Sequence, residues 1–134
     1  MGKATFTYEE TGPFLRIKIK GDIDHHSAVA VRSGIDTLLY KLRPRRLYLD
    51  LSGVDFMDSS GLGLIMGRYA LMKELGGDVV ISEPTVGVER VLRLAGLERV
   101  VRVERAKNEQ NVANSAAGGT DKQRSRRMRK EVLK

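Results

Sequence analysis

Serine, aspartate and glycine are concentrated in one short stretch of the chain, Asp58-Ser59-Ser60-Gly61-Leu62-Gly63. The stretch follows an alternating apolar segment and precedes a helical pattern, so both serines are predicted to lie at a helix N-terminus. Backbone N–H groups there lack partners and the helix dipole is positive, which suits a polar cap and would also accommodate a phosphate on serine. Capping and phosphorylation both remain open from these residues alone, although the stretch has more polar residues and glycines than one cap requires.

A second acidic loop, Gly21-Asp22-Ile23-Asp24-His25-His26, precedes the first predicted helix. Asp24 stands just ahead of an apolar helical stripe and is predicted to cap that helix. If the fold brings this loop beside Ser59, Asp24 and Asp58 could orient Ser59 for modification. Helix capping explains both aspartates equally well.

Enzymatic, nucleotide-binding and metal-binding functions fit these residues poorly. A nucleophile elbow requires Gly-x-Ser-x-Gly, whereas residues 57–61 supply only the final glycine. The glycines of residues 61–67 resemble a dinucleotide fingerprint, but the third is one position late and no acidic residue follows at the required point. His25 and His26 are adjacent, so regular structure would not aim both at one site. We therefore expect no catalytic residue, no cofactor and no metal.

Hydrophobic periodicity predicts the elements that position these loops. Strands are predicted at residues 4–9, 14–20, 47–51, 79–81 and 100–103, and helices at residues 28–42, 62–72 and 88–95. The resulting order is β-β-α-β-α-β-α-β. Such alternation predicts an α/β fold with a mixed, partly parallel sheet and helices packed on it.

Charge is distributed unevenly along the chain. Residues 1–104 contain 15 Lys/Arg and 14 Asp/Glu, whereas residues 105–134 contain 9 Lys/Arg and 3 Asp/Glu. We predict one domain over 1–104 and a polar linker with a basic, disordered tail over 105–134. The nearly neutral domain lacks the positive surface that binding to nucleic-acid phosphates requires, so no direct nucleic-acid contact is expected there.

Composition also suggests where the protein resides. The chain has no cysteine, its first residues lack the apolar core of a secretory signal, and no apolar run is long enough to span a bilayer. These features predict a cytoplasmic protein without membrane association, with a monomer as the default state.

The two loops carry a resemblance to a known family. The segments Gly21-Asp22-Ile23-Asp24-His25-His26 and Phe56-Met57-Asp58-Ser59-Ser60-Gly61-Leu62-Gly63, followed by Gly67-Arg68-Tyr69 and Gly76-Gly77, are similar to the STAS domain of anti-sigma factor antagonists. The resemblance covers about residues 4–104. The histidine pair favours the sporulation members, because general-stress members more often carry threonine at the position of Ser60 and lack these histidines.

The resemblance implies a partner-switching mechanism. An unphosphorylated antagonist would bind an anti-sigma factor that is also a serine kinase, and a sigma factor would be released for transcription. The kinase would phosphorylate Ser59, the complex would separate, and a serine phosphatase would reset the cycle. Asp24, Asp58, Ser60 and Gly61 would support the phosphorylated position.

The surface that contacts the partner is expected around Ser59. We assign to it Asp22, Ile23, His25 and His26 from the first loop, and Leu62 and Gly63 from the second helix.

Two further functions remain open at this stage. Residues 121–134 contain Arg124, Arg126, Arg127, Arg129 and Lys130, so the chain could be a basic-tailed protein that binds nucleic acid or an acidic surface. STAS domains also occur in stress-signalling scaffolds and on anion transporters, although the lack of an apolar spanning segment argues against a transporter.

Overall fold

The computed structural model describes residues 2–105 and 132–133 as a sheet with three helices. The elements follow the chain in the order β1 (Thr5–Thr11), β2 (Phe14–Ile23), α1 (His25–Leu42), β3 (Arg46–Met57), α2 (Ser59–Glu74), β4 (Asp78–Ser82), α3 (Val86–Leu94), a 3₁₀ turn (Leu97–Arg99), β5 (Arg102–Glu104) and β6 (Val132–Leu133). The predicted β-β-α-β-α-β-α-β order is therefore confirmed for the region before residue 105.

The sheet is mixed, as predicted, with strand order β5-β4-β3-β2-β1-β6. Strands β2, β3, β4 and β5 run parallel to one another, and β1 pairs antiparallel with β2. The short strand β6 pairs antiparallel with β1, opposite Phe6 and Thr7, and the sequence did not predict it. Residues 106–131, which hold most of the predicted linker and basic tail, lie outside the described residues, so that assignment stays a prediction.

All three helices cover the same face of the sheet. Strands β3, β4 and β5 are added in turn on the same side of β2. Connections between parallel strands have the same handedness, so connections that all advance in one direction place their helices on one face of the sheet. The alternating residues Leu15, Ile17 and Ile19 of β2 are fully buried on that side, as are Leu47 and Leu49 of β3. The helices join these residues in one hydrophobic core.

Strand β3 extends well beyond its predicted end. Strand β3 was predicted to stop at residue 51 but continues to Met57, because the β2–β3 register shifts between Lys18 and Lys20 and again between Gly21 and Asp22. These irregularities break the alternation of buried and exposed residues on which the prediction rests, although the two strands remain paired.

Within the described part of the chain, no helix is long and apolar enough to cross a membrane.

Candidate functional site

The ends of β2 and β3 bring the two polar loops together. Ile23 lies opposite Met57 in the parallel register, and the Asp58 backbone N–H donates to the Ile23 carbonyl oxygen at 3.3 Å. Helices α1 and α2 therefore begin side by side at the carboxyl edge of the sheet. This edge is where loops of parallel α/β sheets commonly form binding sites.

Asp24 is the N-cap of α1 and forms a reciprocal capping box with Ser27. The Ser27 N–H donates to Asp24 Oδ1 at 2.9 Å, and the Asp24 N–H donates to Ser27 Oγ at 3.2 Å. The hydrogen bond from the Ser27 backbone, followed by that from its hydroxyl, holds the pKa of Asp24 below its ordinary value. The predicted capping role is thus observed.

Replacing Asp24 with alanine is expected to destabilise the fold in a pH-dependent way. Because the folded state lowers the pKa of Asp24, its carboxylate stabilises the protein above the unfolded pKa, about 3.9, and this contribution is lost as pH falls through the lower folded pKa. Urea unfolding of wild type and Asp24→Ala at several pH values should give a gap in midpoint that is full near neutrality and narrows in strong acid. A gap independent of pH would contradict this assignment.

Asp58 caps α2 by accepting the Ser60 backbone N–H at 2.7 Å. The adjacent Ser59 is the first residue of α2 and is exposed, whereas Ser60 is half-buried. Of the two serines, Ser59 is therefore the more accessible to a modifying enzyme.

Glycines 61 and 63 differ in what surrounds them. A Cβ on Gly61 would overlap the Met57 side chain, so the role that the structure shows for this buried glycine is to make room for Met57. A Cβ on Gly63 would meet nothing within 4 Å, and Gly63 is exposed. Gly63 thus leaves one face of α2 open directly beside Ser59.

The predicted contact residues differ in how exposed their side chains are. His25 and His26 are exposed, with ring centroids 5.8 Å apart, and Asp22 is half-buried at the same edge. Ile23 is fully buried because it ends β2 on the core side, so it cannot contribute to a contact surface. Leu62 is half-buried and packs against the core.

Three exposed apolar side chains that the sequence did not point to lie on the elements that form this edge. Phe56, at the end of β3, is 53% exposed, and Val29 of α1 and Met66 of α2 are 50% and 37% exposed. Exposed apolar side chains near a polar site are typical of protein-binding surfaces when they form one patch. The signal was present in the sequence for Met66, which follows Gly63 by three residues and so shares its helix face.

A groove of about 250 Å³ separates the first turns of α1 and α2. It is lined by His25, Ala28, Val29 and Arg32 from α1 and by Ser60, Gly63 and Leu64 from α2. Among the described residues, no three histidine, cysteine or carboxylate side chains are grouped so that they could hold a metal ion.

One buried ion pair fixes the two helices beside this groove. Arg68 Nε lies 2.8 Å from Asp36 Oδ1, with 7% of the Arg68 side chain and 30% of the Asp36 side chain exposed. The two atoms are in ion-pair contact without the alignment of a hydrogen bond, and Arg68 Nη1 donates to the Leu64 carbonyl oxygen at 3.4 Å. The signal in the sequence was an arginine at helical spacing between Ile65 and Met72, on the inward face of α2.

Comparison with known proteins defines the class of protein that carries this fold and site. Residues 5–112 match the STAS domain family, and the chain belongs to that family. The anti-sigma F factor antagonist of Paenibacillus polymyxa is 34% identical over 89 residues, which are 66% of this chain and 76% of that protein. The family resemblance predicted from the two loops is therefore confirmed.

Solved structures give the same result. The anti-sigma factor antagonist SpoIIAA in its unphosphorylated form aligns with a TM-score of 0.66 at 25% identity, over 84% of this chain and 96% of that chain. The Bacillus cell fate determinant SpoIIAA in its phosphorylated form aligns with a TM-score of 0.60 at 25% identity, over 81% of this chain and 97% of that chain.

Proposed function

We propose that this chain is an anti-sigma factor antagonist that is controlled by phosphorylation of Ser59. In its unphosphorylated form it binds an anti-sigma factor that is also a serine kinase, and the bound sigma factor is released. The protein itself catalyses no reaction and acts in the cytoplasm as a monomer. The named relatives support the antagonist role, and the exposed Ser59 at the start of α2 is the observation that supports the control.

The phosphorylation step transfers one phosphoryl group from ATP on the kinase. Ser59 Oγ attacks the γ-phosphorus, the new Oγ–P bond forms, and the bond from phosphorus to the β–γ bridging oxygen breaks. ADP leaves with that electron pair, and the serine proton passes to a base on the kinase. A serine phosphatase later hydrolyses the phosphoserine and restores the hydroxyl group.

Charge explains why phosphorylation would separate the two proteins. A phosphoserine carries about −1.5 to −2 charges near pH 7. Asp22, Asp24 and Asp58 are half-buried in the loops that converge beside Ser59, and Asp55 is exposed nearby on β3. Burying an added dianion together with these carboxylates in an interface is costly because each charge loses its hydration.

The contact surface that we propose consists of Asp22, His25, His26, Leu62 and Gly63, extended by the exposed side chains of Phe56, Val29 and Met66. It combines exposed apolar side chains with polar ones, as protein interfaces commonly do.

A pair of serine variants tests the position of phosphorylation. With the cognate anti-sigma kinase and ATP, Ser60→Ala should still receive one phosphate, whereas Ser59→Ala should receive none and should still bind the kinase. Ser60→Ala serves as the matched control because it removes the neighbouring hydroxyl. Phosphate on Ser59→Ala at Ser60 would transfer the role to Ser60.

Binding of nucleic acid or an acidic surface through residues 121–134 stays a prediction, since these basic residues lie outside the region whose side chains the structure describes. A truncation before residue 106 would test it. Salt-sensitive DNA binding that disappears with the tail would support this second function, and binding unaffected by the truncation would exclude it.

A further inference from the structure

The groove between α1 and α2 has a positive side chain next to the phosphorylated position that we propose. Arg32 lines the groove from α1, opposite Ser60 and Gly63 of α2. Arg32 is exposed and forms no ion pair with any carboxylate among the described residues. The phosphorylation cycle proposed above assigns Arg32 no role.

The buried ion pair shows which residues of α2 lie beside Arg32. Asp36 of α1 lies beside Arg68 of α2, so one helical turn nearer the N-termini Arg32 lies beside Leu64. Helical side chains lean toward the N-terminus of their helix, over the preceding turn. An Arg32 side chain that follows this direction brings its guanidinium near the level of Ser60 and the start of α2.

Gly63 connects the face of α2 that carries Ser59 with this groove. Ser59 and Gly63 are four residues apart and share one face of α2. Gly63 also lines the groove, and the space where its Cβ would stand is empty. At Gly63, therefore, no side chain stands between the face that carries Ser59 and the groove.

The local field favours an anion in this groove. Burial is the main cause that lowers the pKa of Arg68. The negative charge of Asp36 raises this pKa, and the positive charge of Arg32 lowers it. Arg32 thus acts as an additional positive charge beside a pair that is already neutral. A dianion in the groove would be attracted to Arg32 and would offset the repulsion between Arg32 and Arg68.

We propose that the phosphoryl group on Ser59 folds into the α1–α2 groove and pairs with the Arg32 guanidinium. Arginine suits this role because its planar fork can donate two hydrogen bonds to phosphate oxygens. The pairing gives the phosphorylated form its own surface, in which the groove is occupied and Arg32 is neutralised. This inference rests on the proposed function because it requires phosphate at Ser59.

Several charged or titratable groups lie around the groove together with Arg32. From α1 these are His25, His26 and Asp36, and from α2 Arg68. The two N-caps, Asp24 and Asp58, oppose the dianion from the ends of the helices. A test must therefore isolate the effect of Arg32 from that of the remaining charges.

Phosphorus NMR on the full chain provides this test, with phosphoserine installed at position 59 during synthesis so that no kinase is required. A nearby cation favours the dianion, so Arg32→Ala should raise the second pKa of the phosphate by about half a unit. Arg32→Lys should give a smaller rise, because it retains the charge but loses the planar fork. Circular dichroism of each variant verifies that the fold is retained.

Lys41→Ala is the matched control, because Lys41 is exposed on the same helix but lies more than two turns from Arg32. It should leave the phosphate pKa unchanged. An unchanged pKa in Arg32→Ala, or an equal rise in Lys41→Ala, would overturn the proposed pairing. Failure of a kinase to modify Ser59 would contradict the proposed function but would leave this measurement valid, so the two failures are distinguishable.

Discussion

Replacing Asp36 with asparagine is expected to lower the free energy of unfolding by about 3 kcal/mol, because it leaves the charge of Arg68 buried without a partner. Arg68 is 5% exposed and its guanidinium faces Asp36 across the contact between α1 and α2. Asparagine keeps the size of the side chain, so loss of charge and not loss of packing causes the effect. Urea unfolding followed by circular dichroism measures it.

Arg68→Met is the matched comparison for this pair. Methionine fills much of the volume and removes the buried charge, and the remaining Asp36 can reach water because 30% of its side chain is exposed. We therefore expect Arg68→Met to cost less than half as much as Asp36→Asn. A cost of about 1 kcal/mol or less for Asp36→Asn would show that the pair behaves as a solvent-exposed ion pair.

Replacing Gly63 with leucine is expected to weaken partner binding by more than about tenfold while the domain stays folded. The position is exposed and a Cβ there meets nothing, so the leucine side chain would extend into the proposed interface and not into the core. Leucine is a better helix former than glycine, so the free energy of unfolding should stay equal or rise by up to about 1 kcal/mol. Calorimetric titration with the anti-sigma factor should show a loss of affinity greater than about tenfold, or 1.4 kcal/mol.

Gly87 offers a control for that variant. It lies in α3, outside the proposed contact surface, and a Cβ there also meets nothing within 4 Å. Gly87→Leu should stabilise its helix similarly and should bind the partner as the wild type does. Full affinity in Gly63→Leu would remove this face of α2 from the interface.

Local patterns were sufficient to predict the order of elements and the N-caps of α1 and α2. Alternation in residues 15–19 and 47–51 reflects strands with one buried face, and the structure buries Leu15, Ile17 and Leu49 as expected. Asp24 and Asp58 were recognised because a cap acts on N–H groups two or three residues away. Such short-range effects are visible in a sequence.

The remaining features depend on contacts between distant parts of the chain. Ile23 belongs to the loop that the sequence predicts at the contact surface, but the pairing of β2 with β3 turns its side chain into the core. The role of Gly61 follows from the position of the Met57 side chain, and the partner of Arg68 follows from the register of α1 against α2. No periodicity within one element encodes these relations.

The central claim is tested most directly by intact-mass spectrometry with fragment mapping, after incubation with the cognate anti-sigma kinase and ATP. Gel filtration of the same sample reports whether the two proteins still elute together. We predict that the unmodified chain elutes with the kinase, that it then gains one phosphate on Ser59, and that the phosphorylated chain elutes alone. A stable complex with no phosphate after incubation, or a phosphorylated chain that still elutes with the kinase, would contradict the claim.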